Sequence, residues 1–361
     1  MKILLHGSTN NGSIGTSNYG DFIYGQQIYE YFSNKGHEVS FYRPSDFFKK
    51  YTYNGKDNGV GLSNADLFVY FPGGYFGESP FSSPKVNFTH FRRFMLPGLA
   101  AAFSRIPMIT VGIGAGPIKS PFFSWPIKRI GKHSEFVTTR DRESYEALVR
   151  LGLKNVTESS DMILSMNIVK KDLPDDTLRQ LRGASGGKRI LLVHYNHAWI
   201  AMDKFAGAVK SFVGSHPDWF PVVASDSILP YENEQYERFR QLSGVESFHY
   251  LYDNPFEFSS LIDLADAVLT CKLHVGVVAA MFNKPVISVA DHYEKTSRFY
   301  RQIGESRRCV PLPDCGQSDV EELLNRYHAD PVRIPDEVVE LSRIHWEKID
   351  EAADQIKTAR P

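Results

Sequence analysis

The sequence predicts an α/β protein of two Rossmann-like, doubly wound domains that face each other across a cleft. Three observations predict it. At 361 residues the chain exceeds the roughly 250–300 at which a single core stops growing. Short apolar runs alternate with longer amphipathic stretches, the pattern of repeated strand–helix–strand units and therefore of parallel sheets. Each apolar run ends in glycine or polar residues, which gathers these turns on the sheet edge where open α/β folds bind ligands.

The elements follow in order. Lys2–Gly7 reads as a buried first strand, then comes an Asn-, Gly-, Ser- and Thr-rich loop over Ser8–Asp21. A helix runs from Phe22 to about Asn34, with Gly36 in the C′ place that favours glycine, and Glu38–Tyr42 is the next strand. Strand Asp66–Phe71 runs into Pro72-Gly73-Gly74, and strand Pro107–Ile113 into Ala115-Gly116-Pro117. Glu135–Thr139 precedes a helix with Tyr145, Leu148, Val149 and Leu153 on its apolar face. The polar stretch Lys170–Gly187 reads as the linker. A second series follows: strands Arg189–His194, Pro221–Ala224, Ser247–Tyr250, Ala267–Cys271 and Pro285–Val289, with helices from Ala201, Asn233, Pro255 and Leu273 between them. The expected domains are 1–175 and 186–330, followed by a C-terminal segment, 331–361, whose amphipathic helix over Asp336–Lys357 crosses back.

Composition narrows the function. Hydrophobic residues at 42% and charged residues at 23% describe an ordinary globular chain. A net charge of −1 leaves no global basic field, which argues against a nucleic-acid partner. Cys271, Cys309 and Cys315 form neither a disulfide framework nor a metal-spaced cluster and suit a reducing, cytoplasmic compartment. No run of about 18 apolar residues exists to span a membrane, and the N-terminal apolar run is too short for a signal peptide. The 13% aromatic share suits either an aromatic core or a cleft that stacks on sugar rings.

Several segments carry chemistry. Lys272-Leu273-His274 falls where a buried strand meets a buried helix, so free backbone N–H groups, the helix dipole and the lysine charge favour an anion there. His274 adds a proton donor that works near neutrality, although a histidine at a helix start is commonly structural. Gly112-Ile-Gly-Ala-Gly-Pro117 lacks the spacing of a dinucleotide fingerprint and reads as a tight turn, with Gly114 and Gly116 open to close approach of a ligand or of the other domain. Gly73 and Gly74 are equally a turn or a ligand loop. The Ser8–Asp21 loop lacks a Gly-Lys-Ser/Thr phosphate cradle. Arg140 follows a strand end and either forks onto a carboxylate or phosphate or pairs with Asp141 or Glu143. Residues 120–133 interleave aromatics with Lys128, Arg129, Lys132 and His133, as a solvated loop or a patch that meets anionic lipid.

The ordered set Asn18-Tyr-Gly-Asp21, Pro72-Gly-Gly74, Gly112–Pro117, Thr139-Arg-Asp-Arg-Glu-Ser144 with Leu151-Gly152, Leu261–Asp266, Cys271-Lys-Leu-His274 and Lys284-Pro-Val-Ile-Ser288 resembles the polysaccharide pyruvyl transferase family over roughly residues 1–310. The resemblance implies a GT-B-like fold, no metal and no cofactor. It implies a reaction that moves pyruvate from phosphoenolpyruvate onto two hydroxyls of one sugar as a cyclic ketal, with a saccharide acceptor that is lipid- or nucleotide-linked at the cytoplasmic face. The first domain would take the acceptor and the second the donor. Arg140 matches the arginine of the family's Arg-Asp motif, and Leu273 and His274 match its Arg-Leu-His triplet. Lys272 stands where arginine is usual, and Val275 where glycine is usual. Lysine keeps the charge and loses the bidentate fork. The expected donor ligands are therefore Arg140, Lys272 and Leu273, with His274 as general acid and Asp21, otherwise an N-cap of the Phe22 helix, as candidate base. Asn18, Gly73, Gly74, Gly114 and Gly116 would line the cleft. Two other readings stay open: a glycosyltransferase that uses a sugar nucleotide, and a catalytically silent glycan-binding relative, suggested by Lys272 and Val275.

Overall fold

The computed structural model describes residues 1–9, 17–53, 57–78, 83–195 and 199–358, which fall into two compact units. The first unit comprises Met1–Thr16, Asp21–Met166 and Asp336–Pro361; the second comprises Ser17–Gly20 and Asn167–Pro335. Among the described residues no helix is long and apolar enough to cross a membrane.

The first unit runs β1 (Lys2–His6), α1 (Tyr19–Asn34, its first two residues grouped with the second unit), β2 (Glu38–Phe41), α2 (Asp46–Thr52), β3 (Leu67–Tyr70), β4 (Gly73–Phe76), α3 (Pro84–His90), α4 (Leu96–Phe103), β5 (Met108–Ala115), α5 (Pro121–His133), β6 (Ser134–Thr139), α6 (Arg142–Arg150) and β7 (Val156–Thr157). Its strands form one parallel sheet in the order β2-β1-β3-β5-β6-β7, with β3 and β4 lying end to end along β5. β1, β3 and β5 are covered on both faces, which is why they read as unbroken apolar runs rather than alternating ones.

The second unit runs α7 (Asp175–Ser185), β8 (Arg189–His194), α8 (Trp199–Ser215), β9 (Trp219–Ala224), α9 (Glu232–Ser243), β10 (Phe248–Tyr250), α10 (Pro255–Leu264), β11 (Ala267–Thr270), α11 (Leu273–Met281), β12 (Val286–Ala290), α12 (Tyr293–Gln302), β13 (Cys309–Pro311) and α13 (Gln317–Tyr327). Its parallel sheet has the order β10-β9-β8-β11-β12-β13. The last helix, α14 (Asp336–Thr358), belongs to the first unit. In each sheet the winding direction reverses once, between β1 and β3 in the first and between β8 and β11 in the second. Such switch points leave a crevice at the carboxyl ends of the strands, because the crossover helices depart to opposite faces.

Four expectations need correction. The Lys170–Gly187 stretch is not a bare linker: it contains α7, which ends at Gly186 and Gly187 with φ of 59° and 81°, the left-handed region that stops a helix. Residues 112–115 are not a turn but the last half of β5, where φ of 59° at Gly112 accompanies an irregularity in the pairing with β6. Gly73 and Gly74 likewise open a strand, β4. Residues 121–133 form helix α5, capped by Ser120 and started by Pro121, rather than a loop.

Candidate active site

The switch point of the second unit gathers its chemistry on three adjacent strands. His194 ends β8, Thr270 ends β11 beside it, and Ser225-Asp226 follows the end of β9. Lys272 is the N-cap residue of α11 with extended backbone, φ −121° and ψ 148°. The Lys272 side chain makes no cap hydrogen bond to this helix, and the first turn holds no acidic residue. α2, α5, α6 and α10 are capped by Ser45, Ser120, Asp141 and Asn254, whereas α4, α7, α9 and α12 share with α11 the lack of a side-chain cap. A helix start directs its first N–H groups and the positive end of its dipole toward an anion, and Lys272, Leu273 and His274 here are all only partly buried.

Lys272 is not a bare cation. Its Nζ donates to both carboxylate oxygens of Asp226, at 2.8 and 3.0 Å. The Asp226 side chain is almost fully buried, and Lys272 keeps 17% of its side-chain surface exposed. Burial alone would raise the Asp226 carboxyl, but the Lys272 ammonium and the His194 contact outweigh it and hold the group well below the usual carboxylate range. Asn18 Nδ2 donates to Asp226 Oδ2 at 3.2 Å, and the Tyr19 N–H donates to the Asp226 carbonyl at 3.0 Å. His194 Nε2 lies 3.6 Å from Asp226 Oδ1, and its Nδ1 meets Thr270 Oγ1 at 2.8 Å. Burial depresses the His194 pKa despite the neighbouring carboxylate. Thr270 Oγ1 also accepts the Lys272 N–H at 3.1 Å, which ties the loop before α11 to the end of the strand.

His274 is held from the same segment as Asn18. A Cβ on Gly20 would lie 1.8 Å from His274 Nδ1, so the imidazole rests directly on the Gly20 backbone and any side chain there would displace it. The glycine of Asn18-Tyr-Gly-Asp21 thus has a steric reason. Val275, the second departure from the family pattern, is fully buried and packs inward.

The other expected residues lie in the first unit. Arg140 keeps only 6% of its side chain exposed and sits 3.4 Å from Asp141 Oδ2. Burial works against its charge, but Asp141, Tyr24 and Asp161 outweigh it and raise its pKa. Gly114 is where its guanidinium lies flush against β5: a Cβ there would come within 2.7 Å of Arg140 Cζ. What approaches this glycine is the unit's own arginine. Asp141 caps α6 by accepting the Ser144 N–H at 2.7 Å. Asp21 is the third residue of α1, not its N-cap, and interacts with Tyr75 and Arg93. Tyr75 accepts the Ser8 N–H at 3.0 Å, and Arg93 Nη2 donates to Ser8 Oγ at 3.1 Å. Gly73 packs against the Tyr75 ring, and Gly116 follows β5 with φ of 85°. Residues 10–16 of the first loop lie outside the described residues.

Asp226 is the residue that sequence reading missed. Ser225-Asp226-Ser227 looks like an ordinary polar turn, and its only signal is its position after an apolar strand. Ser225 Oγ donates to Glu232 Oε1 at 3.1 Å, and burial pushes the Glu232 carboxyl up to about 7.

Known structures share this fold. A UDP-N-acetylglucosamine 2-epimerase from Neisseria meningitidis matches with a TM-score of 0.63 at 11% identity, over 97% of this chain and 100% of that one. A putative UDP-N-acetylglucosamine 2-epimerase from Listeria monocytogenes matches at 0.62 and 14%, over 96% and 97%. The Methanocaldococcus jannaschii UDP-GlcNAc 2-epimerase matches at 0.61 and 12%, over 97% and 100%. At such identities the likeness is one of fold, the two-domain Rossmann-like α/β class of GT-B proteins. No curated protein matches the chain. The polysaccharide pyruvyl transferase model matches residues 18–293, a span that opens at Asn18 and takes in Gly20, Arg140, Asp226, Lys272 and His274. The chain belongs to the polysaccharide pyruvyl transferase family.

Proposed function

We propose that the chain transfers pyruvate from phosphoenolpyruvate to two hydroxyls of one sugar in a polysaccharide or a lipid- or nucleotide-linked glycan precursor, with the donor phosphate at the start of α11. The observation that carries this reading is the uncapped N-terminus of α11, flanked by the Lys272 ammonium and His274. Its donors suit a phosphate, since backbone N–H groups and a lysine need no fork to hold one. The Asp226 pairing keeps Lys272 oriented and moderates its field, so phosphate binds without being locked in place after release.

Two steps complete the ketal. His274 delivers a proton to the methylene carbon of the donor while the first sugar hydroxyl bonds to the central carbon. The second hydroxyl then bonds to the same carbon as the carbon–oxygen bond to phosphate breaks, and the electron pair leaves on phosphate. Of the two hydroxyl protons, one balances the proton given to the methyl group and the other leaves with phosphate. Asp21, with Arg93 and Tyr75 about it in the first unit, is the proposed base on the acceptor. Arg140 belongs to the first unit, where an anion would have to compete with Asp141 for its guanidinium.

The test is phosphate release from phosphoenolpyruvate over a panel of glycosides. Wild type should release phosphate only with an acceptor that carries two suitably spaced hydroxyls. Stabilisation by UDP, GDP or CMP together with no response to phosphoenolpyruvate would replace this reading with a sugar-nucleotide transferase. No response to any phosphate-bearing ligand would leave a glycan-binding protein.

A further inference from the structure

We propose that the face formed by α3, α4 and α5 is a docking surface for an anionic lipid bilayer. Residues 79–134 contain eight Lys or Arg and no Asp or Glu, in a chain that as a whole holds 41 basic and 42 acidic residues. All the described part of this stretch lies in the first unit.

The geometry turns that composition into a surface. α3 and α4 are joined through a short π-helical turn, Phe91–Met95, so 84–103 is one helical run. Along it Phe88, Arg92, Leu96 and Phe103 stand exposed on a single stripe, while Phe94, Met95 and Leu99 face the core. On α5 the exposed stripe is Phe122, Trp125, Arg129 and Lys132, at helical spacing, and Phe123, Ile127 and Ile130 are buried. The stripes are adjacent at both ends: the Phe91 and Phe122 rings are 4.7 Å apart, and the Arg129 guanidinium lies 5.4 Å from the Phe103 ring centre. Phe88, Phe103 and Trp125 are 59%, 61% and 57% exposed, which is unusual for aromatics in a folded chain. The nearest preceding carboxylate, Glu78, accepts the Lys119 and Ser120 N–H groups and does not offset the cations of the face.

Aromatic and aliphatic side chains projecting among cations, with acids excluded, match the headgroup region of an anionic membrane, where the rings enter the interface and the cations meet lipid phosphate. An acidic protein partner would not require so many protruding rings, and a second copy of this surface would set cation against cation.

The experiment is flotation of the full chain with vesicles of phosphatidylcholine alone or with about 30 mol% phosphatidylglycerol, at about 0.1 M salt. The bound fraction should be roughly tenfold higher on anionic vesicles and fall at about 0.5 M salt. Phe103→Ser with Trp125→Ser should abolish binding, and Lys128→Gln, Arg129→Gln and Lys132→Gln together should reduce it about tenfold, each with an unchanged melting temperature and circular dichroism spectrum. Equal binding to neutral vesicles, no binding to anionic ones, or full binding by either variant would overturn the proposal. So would a dimer in lipid-free sedimentation that either variant dissociates, since a second copy would then cover the face.

Discussion

Two strand-to-helix junctions, β6–α6 in the first unit and β11–α11 in the second, are built from the same parts and finished differently. In each a threonine near the strand end bridges a backbone N–H to a buried histidine. Thr138 Oγ1 accepts the Gly112 N–H at 2.9 Å and meets His345 Nδ1 at 2.7 Å; Thr270 does the same for the Lys272 N–H and His194. Each places a cation just after the strand, with an aspartate within reach. The difference lies in what caps the helix. At α6 the N-cap is Asp141, whose carboxylate accepts the Ser144 N–H and pairs with Arg140, so that junction supplies its own cap and counter-charge. At α11 the carboxylate comes from Asp226, just past the end of β9 on the far side of β8, and pairs with the cation, while the N-cap residue Lys272 makes no side-chain cap hydrogen bond. The lesson is that where the balancing acid sits decides whether such a junction is structural or receptive.

The largest effect should come from the receptive junction. His274→Ala should lower the rate of phosphate release about 10²–10⁴-fold while leaving the melting temperature near wild type; a rate within a few-fold of wild type would remove the proton-donor role. Asp226→Ala leaves Lys272 without its buried counter-charge and should cost the second unit about 3–5 kcal/mol in denaturant unfolding, with a loss of donor affinity. A smaller figure, below about 1 kcal/mol, would mean that the pair behaves as a surface one. Gly20→Ala forces the His274 ring away and should lower kcat about tenfold or more with little change in far-ultraviolet circular dichroism. At the self-satisfied junction, Asp141→Ala removes a helix cap and should cost about 0.5–2 kcal/mol of stability.

The histidine behind the first junction adds a pH dependence. Burial lowers the pKa of His345 to about 4, against roughly 6.5 when the chain is unfolded. Below about pH 6.5 the unfolded chain takes up the proton and the folded one does not, so stability falls with pH by up to about 1.4 kcal/mol per unit until pH 4 is reached. His345→Gln should flatten that slope, measured as the pH dependence of unfolding free energy between 6.5 and 4.5.

Much of this architecture is legible in the sequence. Strand 189–194 and the starts of the helices at 255 and 273 fall where the apolar runs and breakers put them, because buried parallel strands and capped helices write strong local patterns. The glycines of β5 are the exception: Gly112 and Gly114 have the spacing of a turn, although one serves an irregular pairing and the other a buried guanidinium. α7 hid in a polar stretch because only Leu181 and Ser185 of it are buried. Lys272 and His274 were visible from their place between strand and helix, whereas Asp226 was not. Its role depends on β9 and β11 flanking β8, a long-range adjacency that no local spacing encodes.

The central claim, that the open start of α11 receives the donor, is tested most directly by a crystal structure soaked with phosphoenolpyruvate. The account predicts its phosphate within hydrogen-bonding distance of the Leu273 or His274 N–H and of Lys272 Nζ, with Asp141 still capping α6. Donor density elsewhere with the α11 terminus empty, or a phosphate that displaces Asp141 at α6, would contradict it.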